Sequence, residues 1–217
     1  MLFSLLASMA FADDYDDLKD AIAADRSALE EQAELTGDLP AEAHRLLVDA
    51  VLDLVPSWEG TRWAMNGTTE VPGEGRIACG YFVSTVLRDA GLQVERVLLA
   101  QQASERIVVT LADPGTVRRY WRATPADVVR DLGDDDGIFV VGLDWHVGLL
   151  VVAAGEATFC HASRSQQRQV VCEDPHEARS LISRYTVVGE LGTRALEAWV
   201  HGTSLETDLK APPEAPR

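Results

Sequence analysis

Cys79, His146 and His161 are the side chains of this 217-residue chain whose types and spacing suit nucleophilic chemistry. Cys79 stands between Ala78 and Gly80, at the start of a segment in which Phe82, Val83, Val86 and Leu87 repeat with helical spacing. A thiol in the first turn of a helix feels the partial positive charge of the helix N-terminus, which favours thiolate over thiol. Its own backbone N–H is a helix-start donor without an intrahelical partner, so it can face a developing oxyanion. The small neighbours Ala78 and Gly80 leave room for another backbone or a substrate to come close.

His146 opens an apolar run, His-Val-Gly-Leu-Leu-Val-Val152, where an imidazole is costly unless it is hydrogen-bonded. His161 lies in the next apolar run. A two-residue turn at Ala154-Gly155 pairs residues of opposite parity, so both imidazoles fall on one face of the sheet as paired or diagonal neighbours, about 5 to 8 Å apart. One histidine then orients the other as base, the logic of a nucleophile–base–orienter triad. One imidazole satisfied in the core and one half exposed is the alternative.

Cys79, Cys160 and Cys172 make an odd set. Cys160 and Cys172 flank a polar stretch, Ser163 to Gln167, that looks like a hairpin tip, and facing strands would let them bridge. Cys79 then remains as the free thiol, two buried unpaired thiols being the alternative. A disulfide requires an oxidising compartment. The N-terminus agrees: Leu2 to Ala12 is an apolar run too short to span a bilayer, and Ala10-Phe11-Ala12 supplies a cleavage pattern. Residues 1–12 are therefore expected to be an export leader cleaved after Ala12, with a buried first helix as the alternative. The mature product is expected in the periplasm or outside the cell.

The elements that must position these residues come in two groups. Residues 13–56 read as an N-terminal helical extension: a charged, Ala-rich helix to about residue 35, a break at Thr36-Gly37-Asp38, and a second helix capped by Asp38 and ended by Pro56. Residues 57–203 form the main domain. Its opening stretch, 57 to 77, is rich in Gly and Pro and reads as a cleft wall held by Trp58 and Trp63, with Trp58 the better core anchor. Short helices are expected at Cys79 to Ala90, closed by Gly91, at Ser104 to Leu111, and from Thr124-Pro125 to Gly133. Closely spaced β-rich runs at 137–143, 146–152, 157–162, 169–172 and 184–189 predict an antiparallel sheet. Helices first and such a sheet after define an α+β fold. Residues 204–217 are expected to be a disordered tail.

Charge narrows the partners. Thirty-five acidic residues against 19 basic ones give a formal net charge of −16, with Lys19 and Lys210 the only lysines. That argues against nucleic acid and against docking on an anionic membrane, since both need clustered cations. No segment is apolar enough for stable membrane insertion. His44, His176 and His201 have no ligand spacing, so no metal is expected, and the chemistry calls for no cofactor. The oligomeric state is left open.

Thr61-Arg-Trp-Ala-Met-Asn-Gly67, Ala78-Cys-Gly-Tyr-Phe-Val83, Asp136-Gly-Ile-Phe-Val140, His146-Val-Gly-Leu-Leu150 and His161-Ala-Ser163 follow one another in an order that resembles the NlpC/P60 cysteine peptidases. The resemblance covers residues 57–163. It implies a papain-like fold, with the nucleophile helix packed on a small antiparallel sheet. Carried over, Cys79 is nucleophile, His146 base and His161 the third member. Ala78 and Gly80 stand where that family usually carries Asp and Ser. Trp63 stands where it carries a tyrosine serving the oxyanion hole, so Trp63 Nε1, with Asn66 and Gly80, is expected at the cleft. The implied function is hydrolysis of an amide bond in a peptide or peptidoglycan-like substrate. A non-catalytic papain-like binding module and a secreted amidase toxin or acyltransferase are the alternatives.

Overall fold

The structure, a computed structural model, describes residues 2–133, 135–164 and 168–207, with side chains from residue 14 onward. The expected leader and its cleavage point lie outside the described side chains, as do the tip of the Cys160–Cys172 hairpin and residues 208–217 of the expected tail. Ser204 to Thr207 differ from the expectation of disorder. Leu205 is buried, and its N–H donates to Gln93 O at 2.9 Å.

Among the described residues the fold is α+β, with six antiparallel strands. Helices α1 (Leu2–Thr36) and α2 (Ala43–Trp58) come first, then α3 (Cys79–Asp89), α4 (Arg96–Ala100) and α5 (Ser104–Leu111). Strand β1 (Arg118–Trp121), helix α6 (Pro125–Leu132), strands β2 (Gly137–Leu143), β3 (His146–Ala153), β4 (Glu156–Ala162), β5 (Val170–Glu173) and β6 (Tyr185–Glu190) and helix α7 (Thr193–Val200) complete it. The sheet order is β1-β6-β2-β3-β4-β5. Among the described residues no helix is long and apolar enough to cross a membrane.

The sheet is covered on both faces. Alternation along β2, β3 and β4 sends Ile138, Val140, Val147, Leu149, Val151, Cys160 and Ala162 toward the core that includes α2, α3 and α5. The opposite side chains, among them Val141, Leu150, Val152 and Phe159, meet Val128 of α6 and Ala178 and Leu181 of the segment before β6. Strands buried on both faces read as unbroken apolar runs, which is why β2 and β3 stand out in the sequence.

Local chemistry explains the helix ends. Gly91, with φ +99°, closes α3 in a Schellman arrangement: Leu92 N–H donates to Leu87 O and Gly91 N–H to Arg88 O. Thr124 and Asp127 form a reciprocal capping box that starts α6. The second helix departs from expectation at both ends. It begins after Glu42 rather than at Asp38, and Pro56 sits inside it, because burial of Trp58 carries the last turn past the proline. Strand β1 escapes a pattern reading since its Arg-Arg-Tyr-Trp side chains are mostly exposed on an edge.

Helix α1 belongs to the core rather than standing apart as a loose arm. Tyr15, Ile22, Leu29 and Ala33 are buried against α2 and α7. Tyr15 Oη accepts from the buried Trp58 Nε1 at 2.8 Å and donates to Asp89 Oδ2 at 2.9 Å, joining α1 to α2 and to the far end of α3. Tyr15→Phe strands the Trp58 N–H, at a cost of about 1 to 3 kcal/mol. The urea midpoint should fall with an unchanged m-value; an unchanged midpoint would show that α1 is not docked this way.

Candidate functional site

Cys79 is the first residue of α3, and it is the free cysteine left by a Cys160–Cys172 disulfide. The bridge joins directly paired residues of β4 and β5. The residue before the helix, Ala78, offers no side-chain cap, so the first N–H groups of α3 keep no internal acceptor. The Gly80 N–H turns toward the sulfur, and the Val147 N–H of β3 reaches it from across the cleft. Gly80 is glycine for a steric reason: a Cβ there would collide with the carbonyl oxygen of Ala100, because the end of α4 sits on the first turn of α3.

The histidines meet as the turn parity requires. Ala154 and Gly155, both with positive φ, form the two-residue turn between β3 and β4, and the Ala154 N–H is held by Asp136 Oδ1 at 2.8 Å. His146 Nε2 and His161 Nδ1 then lie 2.8 Å apart. Beyond them stands a residue that the sequence reading missed: Glu173 Oε1 is 2.9 Å from His161 Nε2. Ser180 Oγ is 3.2 Å from the same nitrogen. A signal for Glu173 existed in the sequence. Pairing Cys160 with Cys172 sets Phe159 opposite Glu173, which makes Glu173 a diagonal neighbour of His161 on the same face. Phe159 also stacks on the His161 ring, at 4.7 Å between centroids. Gly148 makes this possible, since a Cβ on it would meet the Phe159 ring at 2.6 Å.

Cys79 and His146 line one cleft of about 280 Å³, together with Gly80, Ala103, Ser104 and Val147 among others. Its mouth carries Trp145, 91% exposed in the β2–β3 turn, which no sequence pattern singled out. The turn is fixed from below, where Asp144 Oδ2 accepts from Ser183 Oγ at 2.9 Å and from Arg184 N at 2.8 Å.

The two sets of groups approach the cleft from different sides of the strand. Helix α3 packs on the face of Val147 and Leu149, whereas the imidazoles share the face of Phe159 and Leu150. They meet around the open end of β3, and among the described residues no hydrogen bond joins the Cys79 thiol to either imidazole. Two expected members lie elsewhere. Trp63 is buried under the Arg168 guanidinium and bridges Ile77 through its backbone, and it is not among the residues lining this cleft. Asn66 is exposed in a turn and does not line it either. The stretch from 57 to 77 is stitched to the start of β5 and to Ile77, through Gly60 N–H to Val170 O and Ile77 N–H to Arg62 O. Trp58 is the core anchor expected of it, fully buried and edge-on to Phe82.

Electrostatics corrects one expectation. The helix N-terminus favours thiolate, but burial pushes the Cys79 thiol up and outweighs the Val147 and Gly80 N–H groups that act the other way. Burial also lowers His146 to about 3, helped by the neighbouring His161, and lowers His161 to about 4. Near neutral pH the site therefore rests as a thiol and two neutral imidazoles rather than as a thiolate–imidazolium pair. No protein-family model, no curated protein and no solved structure matches the chain.

A raised thiol pKa means less thiolate at any given pH. Iodoacetamide alkylation of Cys79 should rise with a midpoint above the ordinary cysteine value of about 8.5. A midpoint below that value would show that the helix N-terminus wins over burial.

Proposed function

We propose that the chain is an exported thiol hydrolase of NlpC/P60-like, papain-like type that cleaves an amide bond in a peptide or peptidoglycan-like substrate. One arrangement carries this: a free cysteine at an uncapped helix start shares a cleft with a histidine held by a second histidine and a carboxylate. The cross-strand disulfide supports an oxidising compartment. His146 takes the Cys79 proton as the sulfur attacks the carbonyl carbon, so that neutral partners become a charged pair only in the transition state. The oxyanion forms against the N–H groups at the start of α3. His146 then gives the proton to the leaving amine, and water, deprotonated by His146, hydrolyses the thioester. A closer approach of imidazole and thiol accompanies substrate binding, since catalytic hydrogen bonds are commonly long in a free site. The cleft is of a size to hold a side chain or short acyl group, with Trp145 as an apolar shelf at its mouth.

The raised thiol pKa and the missing thiol–imidazole hydrogen bond favour a second reading, a papain-like module that binds a peptide without cleaving it. Incubation with peptidoglycan fragments, followed by mass spectrometry for new amino termini, separates the two. Hydrolysis should be lost in Cys79→Ala. It should fall about 10²- to 10⁴-fold in His146→Ala and less in His161→Ala. Cys79→Ala activity within a few-fold of wild type would overturn the mechanism. Retained binding with no cleavage by any form would select the binding module.

A further inference from the structure

An imidazole can serve as base only through a nitrogen that carries no proton, so the position of the proton on His146 matters as much as the position of its ring. The chain of contacts has a direction. His161 Nε2 faces Glu173 Oε1 at 2.9 Å, and its Nδ1 faces His146 Nε2 at 2.8 Å. An ionised carboxylate only accepts, so it requires the proton of His161 on Nε2. His161 Nδ1 is then a bare acceptor, and His146 must place its own proton on Nε2 to donate to it. His146 Nδ1 is left bare. Ser180 Oγ, 3.2 Å from His161 Nε2, cannot impose this order, because a hydroxyl both donates and accepts.

We propose that Glu173 is the positioning residue of the site, fixing the tautomers of His161 and His146 in series so that His146 presents an unprotonated Nδ1 to the thiol proton. The hydrolase reading underlies the catalytic consequence, but the tautomers do not depend on it. Burial supports the proposal, for His161 is fully enclosed and Glu173 only about a fifth exposed, so the imidazole end of the contact is shielded from bulk water. The disulfide acts on the same contact: Cys160 adjoins His161 and Cys172 adjoins Glu173, so the bridge locks the register that brings acid and imidazole together.

The test is long-range ¹H–¹⁵N correlation of the imidazole nitrogens in the full-length, disulfide-bonded protein near neutral pH. Wild type should show both His161 and His146 protonated on Nε2. Glu173→Gln keeps the size and shape of the side chain but can turn an NH₂ donor toward His161 Nε2. Both tautomers should then invert to Nδ1–H, and kcat should drop by about 10³- to 10⁴-fold, the scale for a wrongly protonated histidine base in a triad. Glu173→Asp, which still only accepts, should keep the wild-type tautomers. A wild-type His146 carrying its proton on Nδ1 would overturn the proposal even if the variant failed to fold. So would a folded Glu173→Gln protein in which His161 moves its proton to Nδ1 while His146 keeps its own on Nε2, since the two tautomers would then not be set in series. If the tautomers behave as described and no form hydrolyses any substrate, the hydrolase reading fails and the role of Glu173 stands.

Discussion

Register between β3, β4 and β5 is the constraint on which the site depends. Side chains alternate across a sheet with a period of two, so a slip of one residue in β4 would send His161 into the core beside α3 and bring Cys160 to the face of His146. Two local devices prevent this slip. Ala154 and Gly155 both take the left-handed conformation that a two-residue turn needs, at a cost for alanine of about 1 to 2 kcal/mol that the Ala154–Asp136 hydrogen bond helps to offset. The Cys160–Cys172 bridge then fixes β5, a four-residue edge strand whose start is also held by Gly60 N–H to Val170 O and Val170 N–H to Thr61 O. Gly148 completes the arrangement by clearing the space for the Phe159 ring that backs His161.

Burial decides how such a site can work. The helix start and the Val147 N–H favour negative charge on the sulfur, yet desolvation is the larger effect and holds the thiol protonated. Desolvation acts on the imidazoles in the opposite chemical sense, with the same result, leaving them uncharged. On the proposed hydrolase reading, charge separation is postponed to the reaction itself, where a developing oxyanion and imidazolium would each find a partner. In a closed site those interactions are stronger than in water.

Much of this was legible in the sequence, for reasons tied to particular residues. The apolar runs of β2 and β3 need no partner to be recognised, Gly91 and the Thr124–Asp127 pair mark helix ends by their own chemistry, and the parity of the Ala154–Gly155 turn brings His146 and His161 together. Glu173 lay one inference further, behind the register that the disulfide sets. What the sequence could not supply was depth. Trp63 and Asn66 precede Cys79 by a similar interval, but one is buried under Arg168 and the other faces solvent, and neither lines the cleft. The helix N-terminus argued for a reactive thiolate at Cys79, and only packing against β3 shows that burial prevails. Trp145 and strand β1 carry no periodicity, so their exposure became visible only in three dimensions.

The claim that the thiol and the histidines work as one catalytic unit is tested most directly by trapping the acyl-enzyme. Wild-type protein mixed rapidly with p-nitrophenyl acetate should release a burst of nitrophenol approaching one equivalent, with peptide mapping of the quenched protein locating the acetyl group on Cys79. The burst should be lost in His146→Ala. A wild-type burst that is absent, that acylates another residue, or that persists unchanged without His146 would contradict the account.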